Sequence, residues 1–293
     1  MAVDSRAYSA GKLALELDGK DVGILVAGEG GEPVAAVIAD AADPKNVVRK
    51  RLGEITYSQI RLTFGTGMKE PLYQWIADWL NGKQGSKSGA LVFLDINMQE
   101  QSRLEFDEAF ITEFAIPALN ASSKDPVRFS VTLRPGITRN RKSSGKGAGL
   151  GAKAAKSLVA ANFKLTIDNV PTNRVMRVDA IVVKQMILQD DTRAVTLLPL
   201  EVPDLVITLP ESDAAGFVTW FDDSAKAHAG EIGERSGTLQ MLGPDMVSAP
   251  FTLTLSNLGV YRIERSRSES AADTVATARV SVYCEQIGFS YST

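Results

Sequence analysis

Histidine and cysteine are nearly missing from this chain: His228 and Cys284 stand alone among 293 residues. That scarcity removes several kinds of chemistry. A zinc site built from Cys and His needs several such ligands, and one thiol forms no internal disulfide. A Ser-His-Asp triad would have to use His228, yet Ser224-Ala225-Lys226-Ala227-His228-Ala229-Gly230 holds no nucleophile elbow. No loop of alternating Asp and Asn offers an all-oxygen cation site, and Asp190-Asp191 and Asp222-Asp223 read as solvated turns. The glycine cluster from Gly145 to Lys153 fails as a phosphate loop, because Ala152 precedes the lysine and Ala154 follows it. It fails as a dinucleotide fingerprint too, lacking a third glycine at Ala152. Long apolar runs are also missing, so no segment reads as membrane-spanning. Charges or glycines interrupt residues 1 to 20 every few positions, and no signal peptide is expected. The expectation is a chain that is not an enzyme, with no catalytic, cofactor-binding or metal-binding residues. Cys284, in the alternating stretch Ala278 to Cys284, reads as a small buried hydrophobe.

What is present belongs to a globular protein. The hydrophobic fraction is 44% and the charged fraction 23%, and the length suits two domains, each with its own core. The net charge of −3 is unevenly spread. Residues 1–138 carry 15 basic and 18 acidic side chains, residues 139–160 carry 6 and none, and residues 161–293 carry 11 and 17. Two acidic bodies flank a basic, Gly- and Ser-rich connector, which reads as a flexible linker. No aromatic residue interleaves its bases, so a solvated link is favoured over a nucleic-acid arm. The expected division is a first domain over 1–138, a linker over 139–160 and a second domain over 161–293.

The same signals occur on both sides of that linker in the same order. Leu13, Leu15 and Leu17 alternate and end in Asp18-Gly19, while Phe163, Leu165 and Ile167 alternate and end in Asp168-Asn169. Ile60, Leu62 and Phe64 correspond to Leu205, Ile207 and Leu209, and Leu72, Trp75 and Ile76 to Phe217, Trp220 and Phe221. Later, Ser88 to Leu94 matches Ser236 to Leu242, and Phe129, Val131 and Leu133 match Val280, Val282 and Cys284. The spacing between partners drifts by only a few residues, as loop insertions would allow.

Period-2 alternation in these blocks predicts half-buried strands. Residues 68–82 differ, since Leu72, Trp75, Ile76, Trp79 and Leu80 fall on one helical face. Pro71 suits the first turn and Asn81-Gly82 a stop. In the second half Ser212-Asp213 could cap a matching helix carrying Phe217 and Trp220. A single helix per repeat cannot cover both faces of a parallel sheet. The expected fold is therefore mainly β: two tandem similar domains, each a curled antiparallel sheet or β-barrel with one flanking α-helix. Leu72, Trp75, Trp79, Phe217 and Trp220 are its expected core helix anchors.

The run from Val47 through Tyr57-Ser58-Gln59-Ile60-Arg61-Leu62-Thr63-Phe64-Gly65 into Leu72-Tyr73-Gln74-Trp75-Ile76, followed by Leu91 to Asp95 and Phe106 to Phe114, resembles the phage tail-tube family, which includes tubes of contractile injection systems. In the second half Phe217 and Trp220 fill the helix positions of Leu72 and Trp75, although Pro210 replaces the glycine turn and the long loop is shorter. The resemblance implies a virion tail subunit made in the bacterial host cytoplasm. It implies self-association into stacked rings, with three duplicated chains closing a pseudo-hexameric ring. Its partners would be tape-measure and terminator proteins, and DNA or cargo would pass the channel without specific binding. The charged segment Ala41 to Arg51 then supplies candidate ring-to-ring contacts: Lys45, Asn46, Arg49, Lys50 and Arg51. A tandem β-sandwich module binding carbohydrate or protein is the alternative. It needs an exposed aromatic platform, whereas the three tryptophans fall on apolar helix faces. A hydrolase with paired carboxylates is a third class that sequence leaves open.

Overall fold

The computed structural model describes residues 11–40, 48–83, 85–143, 157–189, 194–226, 233–265 and 276–292. In chain order the first elements are β1 (Lys12–Leu17), β2 (Lys20–Leu25), β3 (Ala27–Glu29), β4 (Pro33–Ala39), β5 (Lys50–Tyr57), β6 (Ile60–Phe64), α1 (Glu70–Leu80) and β7 (Lys87–Leu94). Then come β8 (Glu100–Ile116), β9 (Leu119–Asn120), β10 (Phe129–Arg134), β11 (Ile137–Lys142), β12 (Phe163–Ile167), β13 (Arg177–Val178) and β14 (Ile181–Gln189). The rest are β15 (Val195–Glu201), β16 (Leu205–Pro210), α2 (Ala215–Lys226), β17 (Arg235–Met241), β18 (Phe251–Arg265) and β19 (Thr277–Tyr291). The fold is mainly β, as the alternation predicts, with antiparallel sheets and two helices. Two compact units result. One comprises residues 1–64, 85–112 and 131–153; the other takes 65–84, 113–130 and 154–293.

In the first unit the strands run in the order β2-β1-β7-β8-β10-β6-β3, with β11 paired to β8. Its two ends are one piece of chain. β2 pairs with β1, and after Val26 donates its N–H to the Thr63 carbonyl, β3 pairs with β6. The sheet thereby curls shut on Leu15, Leu17, Leu62, Phe64, Leu91, Leu104 and Phe106, all buried. Gly30 ends this closing segment at φ 94°, and a Cβ there would lie 1.8 Å from the Gln59 carbonyl oxygen. Only glycine fits such a bend. β4 and β5 form a separate two-stranded sheet. β11 includes Arg139 to Lys142, so these four residues of the expected linker are strand.

The second unit holds a sheet in the order β12-β17-β18-β19-β16-β13-β9, with α1 against β19 and α2 against β18. Residues 119–127 join both margins of this sheet. Asn120 pairs with Arg177 of β13, while its N–H reaches the Ala160 carbonyl just ahead of β12. β14 and β15 form a hairpin whose base pairs with Glu113 to Ile116 of β8. α1 starts with Glu70-Pro71 and stops at Asn81, with Gly82 at φ 74°, as its sequence signals require. The cap expected at Ser212-Asp213 is instead a 3-10 turn, Glu211–Asp213, in which Ser212 bonds the Asp213 side chain; α2 begins at Ala215.

The order β1-β7-β8-β10-β6 recurs as β12-β17-β18-β19-β16. Finer features recur as well. The six non-glycine residues with positive φ among those described fall into three pairs. Asp18 and Asn169 sit in the turns after β1 and β12, Met98 and Met246 in the turns before β8 and β18, and Glu108 and Asn257 inside β8 and β18. The last pair marks a bulge, where register shifts beside Gly89 in one case and Gly237 in the other. Left-handed backbone at a non-glycine residue is uncommon, so matched placement at three positions is a structural signature of repetition. The helices fit the same frame: Trp75 and Trp220 are each the sixth residue, and Leu72 and Phe217 each the third.

Candidate assembly surfaces

The helix anchors are all buried, and each lies in the second unit. Trp79 donates its indole N–H to Gln185 Oε1 at 2.6 Å, and the Gln185 amide donates onward to the Leu198 carbonyl at 2.8 Å. A buried amide thus ties α1 to the β14–β15 hairpin. Beside it, Tyr73 packs edge-on against Phe251 at 5.1 Å between ring centres and also meets Phe289 and Tyr291. Burial pushes the Tyr73 hydroxyl well above the ordinary phenol range, and the Gly65 carbonyl accepts its proton at 3.2 Å. In α2, Trp220 donates to the Gly233 carbonyl and carries the Arg235 guanidinium over its ring at 4.7 Å. With all three tryptophans buried, none forms an exposed aromatic platform.

The sheet faces differ in chemistry. On the second unit, strand register aligns Lys164, Gln240, Thr252 and Ser290 in one row and Thr166, Thr238, Thr254 and Gly288 in the next. Alternation puts Leu165, Leu239, Leu253 and Phe289 on the buried face, leaving a hydroxyl- and amide-rich face with one charge. In the first unit the corresponding rows begin with Ala14, Ala90, Val92 and Leu94, which bury themselves as a small apolar cluster with Met98 against it. They continue into ion pairs. Arg103 bonds Glu100 at 2.8 Å and Glu16 at 2.9 Å, Arg141 reaches Glu105 at 3.2 Å, and Arg139 reaches Asp107 at 2.5 Å. The Glu100 hydrogen bond, aided by neighbouring carboxylates, raises the Arg103 pKa further.

Arg49, Lys50 and Arg51 are exposed where the chain enters β5, and Arg51 pairs with Asp40 at 3.3 Å. Lys45 and Asn46 lie outside the described residues. On either side of the charged segment Ala41 to Arg51, β4 and β5 pair as a hairpin with exposed Val34, Val37, Ile38, Leu52 and Ile55.

Reactive groups are few. Cys284 is buried, its thiol pushed up to about 11 by desolvation, which keeps it a poor nucleophile. Asp222 and Asp223 are exposed on α2, where a turn was expected; His228, Asp190 and Asp191 lie outside the described residues. No cluster of three or more His, Cys, Asp or Glu suited to a metal occurs among the described residues, and none of their helices is long and apolar enough to cross a membrane.

Among solved structures, the anti-feeding prophage (AFP) tube terminating cap is similar at 18% identity, over 49% of this chain and 95% of that one, with a TM-score of 0.42. A chain of the six-fold symmetrised AFP baseplate gives 13% identity, 49% and 99% coverage, and 0.41. The sheath–tube complex of the PVC extracellular contractile injection system, in the extended state, gives 13%, 44% and 88%, and 0.33. No curated protein matches. A family model, that of the T4-like virus tail tube protein gp19, matches residues 20–135, a stretch that runs from β2 through the end of β10. The matched stretch, residues 20–135, is about two fifths of the chain, and over it the chain is similar to the T4-like virus tail tube protein gp19.

Proposed function

We propose that this chain is a non-catalytic structural subunit of a phage or phage-derived tail tube, made in the bacterial host, in which the tube domain is duplicated. The observation that carries the reading is the family match over residues 20–135, joined to the recurrence of its strand order, turns and bulge in residues 163–291. The repeats divide as 1–138 and 161–293, with 139–160 between them. Two quasi-equivalent domains per chain let three chains close a pseudo-hexameric ring by rotation. Rings stack around a channel that conducts DNA or other cargo, with tape-measure and terminator proteins as further partners. The hydroxyl-rich face of the second unit supports a channel role, since neutral polar groups hold no polyanion tightly. Arg49, Lys50 and Arg51, with Lys45 and Asn46, are the proposed ring-to-ring contacts. Electron microscopy of the purified chain tests this. Three-fold rings with alternating domains are expected, whereas six-fold rings with one domain type per layer would sink the trimer, and particles that never form rings or tubes would sink the tube.

A further inference from the structure

The second unit holds a cavity of about 760 Å³ where the end of α1, the β14–β15 hairpin and the β18–β19 pair meet. Ligand sites in proteins are commonly clefts of roughly 300–1,000 Å³ with apolar walls and a few polar groups that fix what enters. This cavity has both. Leu80, Leu200 and Val202 supply aliphatic wall, while Asn81, Thr254, Ser256 and Gln286 bring amides and hydroxyls. The side chains of those four polar residues make no hydrogen bond among the described residues, so each keeps its bonding capacity for a ligand or for water.

The lining has one sign of charge. Among the described residues that line it none is Lys, Arg or His, which disfavours a phosphate, nucleotide or carboxylate ligand. Glu285 contributes a carboxylate; Asn257 donates to its Oε2 at 2.7 Å, leaving Oε1 without a partner among the described residues. A second negative feature comes from α1. Its last residues and stop, Leu80-Asn81-Gly82, reach the cavity, and no basic side chain in its last turn offsets the partial negative charge of its carbonyl end. The lysines next in sequence face carboxylates of their own: Lys83 pairs with Asp78 at 3.2 Å, and Lys184 stands opposite Glu201 in register. A carboxylate and a helix C-terminus each favour an ammonium group, and the aliphatic wall suits the methylene chain that joins two of them. We propose that this cavity binds a linear polyamine, a methylene chain carrying two or more ammonium groups. A lysine side chain offers the same chemistry with a single charge. The site goes beyond the tube reading and does not depend on it.

The test titrates spermidine into the full chain by calorimetry, and saturable binding is expected. Triethylene glycol, similar in length but uncharged, and magnesium chloride, charged but without a methylene chain, should each bind at least about tenfold more weakly. Glu285→Gln removes the charge while keeping an acceptor for Asn257, and should weaken spermidine about tenfold. Glu29→Gln, an exposed change in the first unit, should leave it unaltered. Gln286→Lys brings an ammonium of the protein's own to the cavity and should abolish binding, with circular dichroism showing that each variant folds. Spermidine bound equally well by the Glu285→Gln chain would overturn the site. Magnesium bound as tightly as spermidine would overturn it too, as general attraction to an acidic chain. An amide-capped lysine that binds as tightly as spermidine would overturn the polyamine and assign the cavity to a lysine side chain of a protein partner. Rings and tubes are scored separately by electron microscopy, so failure of the site leaves the tube reading intact.

Discussion

Replacing Gln185 by Leu tests whether one buried amide holds α1 to the β14–β15 hairpin. Gln185 is 4% exposed, accepts from Trp79 at 2.6 Å and donates to Leu198 at 2.8 Å. Leucine fills much of the space but returns neither bond. It leaves an indole N–H and a carbonyl without these partners, at about 1–3 kcal/mol for each buried group that stays unsatisfied. The expected loss is therefore roughly 2–6 kcal/mol if both groups stay unsatisfied. Trp79→Phe removes the donor instead, orphaning Gln185 Oε1 and leaving a smaller ring. Once that donor is gone, Gln185→Leu has one fewer group to strand, so the double variant should be more stable than the two separate losses imply by about 1–2 kcal/mol. Urea unfolding of the four proteins, followed by circular dichroism, measures the cycle. Additivity within about 0.5 kcal/mol would refute the claim that these side chains act as a pair.

Trp220→Ala and Trp75→Ala should each cost about 3–5 kcal/mol in urea unfolding, because both rings are buried at matched helix positions; a loss below about 1 kcal/mol at either site would mean that its ring is not core. Gly30→Ala should be among the most damaging small changes in the first unit, since it adds a Cβ against backbone at positive φ; a variant with an unaltered melting temperature would show that the closing bend is not required. The Cys284 thiol, raised from 9.0 to about 11, should resist alkylation at pH 8 in the native protein and react quickly in urea. Its burial favours folding below pH 9, and that contribution fades as pH rises from 9 through 11. Equal alkylation rates in the native and unfolded protein would refute the burial.

Local signals wrote much of this fold directly into the sequence. Strand alternation needs only neighbouring residues, so the core faces of β1, β6, β12 and β16 are legible as Leu15 and Leu17, Leu62 and Phe64, Leu165 and Ile167, and Ile207 and Leu209. The limits of α1 follow from Pro71 and Gly82 for the same reason. The repeat, too, shows as a recurring order of such signals. Tertiary structure decided what local pattern leaves open. The apolar stripe of α1 would suit any sheet, and only packing assigned it to the unit that contains β19, through Tyr73 against Phe251 and Tyr291. The amide of Gln185 gave no sign in sequence, because its partners Trp79 and Leu198 are set by pairing across 106 residues in one case and 13 in the other. Val37 and Leu52 are aliphatic strand residues that stand in solvent, since burial depends on what the rest of the chain brings against a strand.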